Sequence, residues 1–368
     1  MISMNMTKKG KMQKIFQTLS VMLFLSLLQY SCSGDSEPAI DEKDTPPTNL
    51  QVSFQIVGEN TDPEGNGSGI VHFEASATNA LDYQYAFNNQ EVNAPDGATT
   101  ITFGATGTYS VTVTALGEGN TSLSREITVS VFVDPDLVWA QEFEQEGAPD
   151  PEFWNFELGD GCDQGICGWG NGEQQWYTNE PDNIIVEDDV LKITAKAEAR
   201  NGYNYTSARI TTKNKFAFTY GRVEVRAKLP EGGGTWPAIW MLGSNIDQVG
   251  WPKCGEIDIM EHTGNDPGRV SAATHDEFYH AGNARYYWTD VSNVSTEYHI
   301  YSLNWDENGM DFFVDGNLFF ESPNSSELPY NQDFYLLLNI AMGGNLGGTI
   351  DESFSSGSME IDYIRVYQ

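Results

Sequence analysis

The chain has 368 residues, room for two or three domains, and carries 53 acidic against 19 basic side chains for a net charge of −34. A field of that sign repels a polyanion, which sets nucleic acid aside as a partner and suits a well-solvated protein acting on neutral or cationic molecules. Aromatic residues make up 12%, with nine Trp, and there are 36 Gly, a mix that points to β-structure with many turns and an aromatic-lined site.

At the N-terminus, Lys8, Lys9, Lys11 and Lys14 precede an apolar run from Leu19 to Leu28, the shape of an export leader and too short to span a bilayer comfortably. The run ends in Q-Y-S-C-S. Cys32 stands where a bacterial lipoprotein is cleaved and lipidated, although Gln29 occupies a position usually apolar. Residues 1–32 are therefore read as a leader with a lipobox-like end. The expected location is outside the cytoplasm, lipid-anchored to the outer membrane or cell surface, with plain secretion as the alternative. The anchor is the only membrane contact expected. Residues 33–48, acidic and Pro-bearing, have the composition of a disordered linker.

Residues 49–133 alternate as short strands do: Val52, Phe54 and Ile56; Tyr109, Val111 and Val113; Ile127, Val129 and Val131, with turn-rich stretches between them. That pattern predicts a small immunoglobulin-like sandwich. Its G-T-Y-S-V-T-V-T-A stretch resembles polycystic-kidney-disease-type modules, spacers of extracellular enzymes. No catalytic cluster lies in it, so a stalk is expected, with glycan binding as the alternative.

A boundary falls near Asp134-Pro135-Asp136, leaving 134–368 as one segment. Cys162 and Cys167, in G-C-D-Q-G-I-C-G, are close enough to staple one Gly-rich loop in an oxidising compartment, which leaves Cys254 unpaired. A zinc site is the weaker reading, since no His or second Cys pair has the spacing. In G-R-V-E-V-R-A-K-L, Val223, Val225, Ala227 and Leu229 take one face and charged residues the other. D-E-N-G-M and V-D-G-N-L read as turns joining strands, and no helical period of any length is present. The segment is expected to be all-β, with two packed sheets.

Residues 255–262 read G-E-I-D-I-M-E-H. In a strand, Glu256 and Asp258 share a face, and strict alternation would then turn Glu261 into the core, where an unpaired carboxylate is costly. One extra residue, a β-bulge at Ile259-Met260, returns Glu261 to the face of the other two. Like charges gathered on one face raise at least one pKa, an arrangement that serves acid–base chemistry. A retaining glycosidase needs one ionised and one protonated carboxylate about 5–5.5 Å apart, so the side chains of Glu256 and Glu261 must lean together across Asp258. On spacing alone, an acidic surface strand or a calcium site stays open.

The flanking motifs decide between these. G-E-I-D-I-M-E-H resembles the active-site strand of glycoside hydrolase family 16 in its bulged form, E-x-D-x-x-E. The stretches W-G-N-G-E-Q-Q-W-Y-T (169–178), Y-T-S-A-R-I (205–210), W-P-A-I-W-M-L-G (236–243), W-P-K-C-G-E (251–256) and the terminal I-D-Y-I-R-V-Y-Q resemble its laminarinase branch, the endo-β-1,3-glucanases. The resemblance covers about 139–368. It implies a curved, concanavalin A-like β-jelly roll with a cleft on its concave face, and retaining endo-hydrolysis of β-1,3-glucan, mixed-linkage glucan included. Another galactan hydrolase, an agarase or carrageenase, is the alternative, and a non-catalytic glycan-binding lectin a more distant one.

Position by position, the resemblance makes Glu256 the nucleophile, Glu261 the acid/base and Asp258 the residue between them. Trp236, Trp240 and Trp251 are expected to bind substrate, because the apolar C–H faces of sugars pack on flat aromatics. Asn171 and Arg209 match positions that contact sugar hydroxyls, and His275 one beside the carboxylates. No cofactor is expected for catalysis. The family's structural calcium would fall at Glu142, Asp189 and Asp362, with Asp189 standing where relatives often have Gly. The partner is a β-glucan polysaccharide, and the protein is expected to be a monomer. The stretch H-D-E-F-Y-H-A-G-N-A-R-Y-Y-W (275–288) departs from the laminarinase pattern and is expected to form a loop or strand edge near the cleft.

Overall fold

The computed structural model describes residues 45–134 and 136–368. The leader, Cys32 and most of the acidic linker lie outside the described residues. The described chain is all-β, with only short helical turns between strands.

Two separate cores organise it. Strands Thr48–Ile56, Ile70–Thr78 and Ala98–Thr102 form a three-stranded sheet. Strands Asp82–Phe87, Gln90–Asn93, Gly107–Leu116 and Ser122–Val131 form a four-stranded one. Val71, Phe73, Tyr85, Val111, Val113 and Val129 are buried in this first core. The period-two pattern produces this, because alternate residues on each strand must leave water.

From Leu137 onward the chain builds a ten-stranded and a seven-stranded sheet around a second core. In Gly221–Lys228, Val223, Val225 and Ala227 are fully buried against that core, as the alternation predicts. The seven-stranded sheet positions the site. From one edge it runs Arg285–Asp290, Arg269–His275, Glu256–His262, Thr235–Gly243, Phe334–Met342, Arg209–Thr211 and Asn155–Phe156, each strand antiparallel to the next.

Every residue of Phe334–Met342 is buried, which explains an apolar run interrupted only by Asn339. Leu336, Leu338 and Ile340 enter the core. Tyr335 and Leu337, on the opposite face, pack with Leu242 and Cys254 in a small cluster. A buried Leu of this kind contributes about 2 kcal/mol. Segment 244–255 folds back over this end of the sheet, and Gly243 makes the fold-back possible: a Cβ there would meet the Cys254 carbonyl oxygen at 2.0 Å. Cys254 is buried and unpaired, while Cys162 and Cys167 form a disulfide.

Candidate active site

The bulge lies where strand parity requires it. Asp258 pairs with Ala273 and Glu261 with Ser271, so three steps on one strand match two on its neighbour. On the other side Ile239 pairs with Met260 and Trp240 with Asp258, which leaves Ile259 without a partner. Ile257, Ile259 and Met260 all enter the core, and Glu256, Asp258 and Glu261 are left together on the outer face.

Cross-strand pairs share a face, so the register extends this surface across the sheet. One row runs Trp288, Ser271, Glu261, Ala238, Asn339, Arg209, and a second runs Tyr286, Ala273, Asp258, Trp240, Leu337, Thr211. A polymer lying across the strands would follow these rows.

Each carboxylate has its own aromatic nitrogen. Trp251 Nε1 donates to Glu256 Oε2 at 2.8 Å, and Trp236 Nε1 donates to Glu261 Oε1 at 3.0 Å. His275 Nε2 lies 3.1 Å from Asp258 Oδ2 and 3.7 Å from Glu256 Oε1. Burial first, and then the Asp258 charge, hold Glu256 and Glu261 well above the usual carboxylate range, while the indole donors and His275 pull them back. Burial lowers the His275 pKa, but Asp258, Glu256 and Glu261 outweigh it and raise the imidazole to about 9. The surrounding carboxylates thus favour the cationic form of His275 at neutral pH. Two glutamates raised together by burial and by the Asp258 charge form a cluster that favours holding a proton between them, and a double displacement needs one ionised and one protonated carboxylate.

The other expected residues fall into two groups. Trp236 and Trp251 lie at the carboxylates, and Trp251 keeps 46% of its surface exposed, enough to meet a sugar as well as orient Glu256. Trp240, Arg209 and Asn171 belong to a network on the side of the carboxylates away from the edge strand Arg285–Asp290. The Arg209 guanidinium lies 4.3 Å from the Trp169 ring and 4.9 Å from the Trp240 ring and pairs with Glu157. Arg209 is buried, so these partners meet much of its hydrogen-bonding and charge requirement.

Asn339, Tyr177, Glu173 and Gln175, which sequence reasoning did not single out, complete this network. Trp240 Nε1 donates to Asn339 Oδ1 at 2.8 Å, Asn339 Nδ2 to the Tyr177 hydroxyl at 3.1 Å, and that hydroxyl to Glu173 Oε2 at 3.1 Å. Glu173 also accepts from Gln175 at 2.6 Å and from Asn171 at 3.4 Å. Burial raises its pKa, against the lowering influence of Arg209 and these donors. The available signal was a lone Asn in F-Y-L-L-L-N-I-A-M and a carboxylate in the Gly-rich 169–178 stretch.

The expected calcium ligands are otherwise engaged. Glu142 accepts from Arg365 at 2.9 and 3.1 Å and from Asn66 at 2.6 Å, and Asp362 pairs with Arg226. Asp189 is exposed in a turn. Calcium takes six to eight oxygens, whereas two of these three carboxylates already hold a guanidinium, so the set does not fit the ion. Among the described residues, the three side chains close enough to hold a metal together are Glu256, Asp258 and His275, within the carboxylate cluster on the bulged strand.

Residues 171–365 match the model of the glycosyl hydrolases family 16. The chain is 40% identical over 249 residues to a beta-glucanase of Rhodothermus marinus, covering 63% of this chain and 85% of that protein. It is 36% identical over 273 residues to glucan endo-1,3-beta-glucosidase A1 of Niallia circulans, covering 66% of this chain but 40% of that longer protein. Among solved structures, the catalytic domain of a laminarinase from Thermotoga maritima superposes with a TM-score of 0.60 at 44% identity, covering 63% of this chain and 97% of that one.

Proposed function

The chain belongs to glycosyl hydrolase family 16, and from that premise we propose that it cleaves β-1,3-glucan internally, with retention of anomeric configuration, on a curved jelly-roll sandwich. The observation that carries this reading is the bulged strand holding Glu256, Asp258 and Glu261 on one face, each with its own aromatic partner. Glu261 protonates the leaving oxygen while Glu256 attacks the anomeric carbon to form a glycosyl-enzyme. Glu261, now ionised, then takes a proton from the water that releases the sugar. Asp258 and His275 set the charge around both. Laminarin is the first substrate to try. Glu256→Gln and Glu261→Gln should each lower kcat by roughly a thousandfold or more, with the β-anomer as the first product of the unaltered enzyme. Wild-type rates in either variant, or an initial α-anomer, would overturn the assignment.

Further roles follow from sequence. Residues 49–133 act as a polycystic-kidney-disease-type spacer and 134–368 as the catalytic domain. Residues 1–32 direct export, and Cys32 carries the lipid anchor that holds a monomeric enzyme at the cell surface. Cys32→Ser should move the protein from the membrane fraction to the soluble exported fraction; an unchanged distribution would exclude the anchor.

A further inference from the structure

The divergent stretch 275–288 ends in the edge strand Arg285–Asp290, and its aromatic side chains are not consumed by the fold. Phe278, Tyr279, Tyr286, Tyr287 and Trp288 are each between 40% and 68% exposed. Exposed aromatic side chains gathered at a sheet edge mark an interaction surface, and would otherwise be an aggregation liability.

The register says where this patch stands. Tyr286 pairs with Ala273, which pairs with Asp258, and Trp288 pairs with Ser271, which pairs with Glu261. Both aromatic rings therefore rise on the same face as the carboxylates. They stand two strands away, roughly 10 Å across the sheet. Between them and the acids lie only the short side chains of Ser271 and Ala273, so the two rows form a shallow floor with an aromatic wall. Tyr287, at the intervening position, turns the other way and stacks on Phe320. The Arg269 guanidinium sits 3.8 Å from the Trp288 ring and fixes it, while Trp288 keeps 40% of its surface exposed.

We propose that Tyr286 and Trp288 form a sugar-stacking platform that extends the cleft past the carboxylates, takes glucose units remote from the bond being cleaved, and makes the enzyme prefer long chains. The occupant is a neutral glucan. The platform continues the catalytic rows without a break, and its flat rings with polar edges suit the C–H faces and hydroxyls of a sugar. The proposal rests on the β-glucan reading above. Binding energy gained at such a distance is useful when it holds the polymer across the reacting centre, so it acts most strongly on chains long enough to reach it.

The test compares the unaltered protein with Tyr286→Ala, Trp288→Ala and the double variant on laminarin and on β-1,3-gluco-oligosaccharides of increasing length. The expected result is a kcat/KM penalty that grows with chain length, to about tenfold per ring on the polymer, and falls below about twofold on the shortest oligomer cleaved. Trp288→Phe should recover most of the loss, and thermal unfolding of all variants should stay near that of the unaltered protein. A penalty equal at every length, or none, overturns the proposal. If the unaltered protein releases no reducing ends from laminarin, the substrate assignment falls and this inference with it; if it does and the variants match it at all lengths, this inference falls alone. A concentration-dependent dimer abolished by Trp288→Ala, with oligomer cleavage unchanged, would instead assign the face to a second copy of the chain.

Discussion

His275 Nε2 lies 3.1 Å from Asp258 Oδ2, which gives a cation to the one carboxylate of the three that receives no indole hydrogen bond. Asp258 is 3% exposed, and its charge raises the pKa of both Glu256 and Glu261. Replacing it by Asn removes that repulsion, so both glutamates should lose their protons at lower pH. The kcat/KM profile of Asp258→Asn on laminarin should therefore move to the acid side as a whole, by about one pH unit, or about 1.4 kcal/mol of interaction. A profile that keeps its limbs while the rate falls would show that Asp258 acts only by packing.

The same argument runs in the opposite direction for His275. Its pKa is raised to about 9, so it is charged across the neutral range and lowers both glutamates. His275→Gln should shift the profile to the alkaline side and slow the reaction at acid pH, where Glu256 would hold its proton longer. Measuring both variants in one buffer series gives opposite shifts if the cluster is electrostatically coupled and matching shifts if it is not.

The carboxylate-bearing strand was legible because parity is a local rule: three carboxylates spaced by two and three in an apolar strand admit one bulge, and the register shift falls there. The alternation of Val223, Val225 and Ala227 was legible for the same reason. What sequence could not provide was pairing between distant strands. Asn339 meets Tyr177 across 162 positions, and Trp236 and Trp251 reach their carboxylates from the neighbouring strand Thr235–Gly243 and from the fold-back of 244–255 respectively. Arg365, an unremarked residue of the terminal I-D-Y-I-R-V-Y-Q, neutralises Glu142 from 223 positions away, a contact no local pattern encodes.

Glu144 offers a stability test outside the cleft. It accepts from Gly58 N at 2.7 Å, and burial, with Glu142, Asp189 and Glu59 nearby, raises its pKa from 4.5 to about 7. The folded state holds this proton more tightly than the unfolded chain does, so stability from this group falls as pH rises from about 4.5 to about 7 and stays lower above that. Glu144→Gln should remove the dependence. Because the side chain is only half-buried, a gain of about 1 kcal/mol at pH 8, or about 2 °C in Tm, is expected, with none at pH 4. A variant less stable than the wild type at pH 8 would show that the carboxylate's hydrogen bond to Gly58 outweighs its desolvation.

Glu142 and Arg365, both in the 134–368 segment, form a buried ion pair with side chains 6% and 7% exposed, and Asp62 of the first module joins from a position 53% exposed. Glu142→Ala leaves a buried guanidinium with one solvated partner and should cost about 3–5 kcal/mol. Asp62→Ala removes a screened partner and should cost less than about 1 kcal/mol. Calorimetry of the two variants separates these values. Since guanidinium groups already neutralise Glu142 and Asp362, chelator should leave the wild-type Tm unchanged, and a drop with EDTA would restore calcium to this site.

The bulge itself can be removed without losing an acid. Deleting Met260 leaves E-I-D-I-E, in which plain alternation keeps Glu256, Asp258 and Glu261 on the outer face and their partners Ala273 and Ser271 in register. The variant should fold, less stable by about 2–5 kcal/mol for the lost core side chain, and should still cleave glucan at a reduced rate. Deleting Ile259 and Met260 together inverts the parity and drives Glu261 toward Ile257 and the core, so activity should vanish although every carboxylate remains in the sequence. Reducing-sugar release and circular dichroism on both deletions distinguish the cases. If the single deletion is folded yet as inactive as Glu261→Gln, then the outward face alone is not sufficient, and the geometry of the bulge sets the reach of Glu261 toward the leaving oxygen.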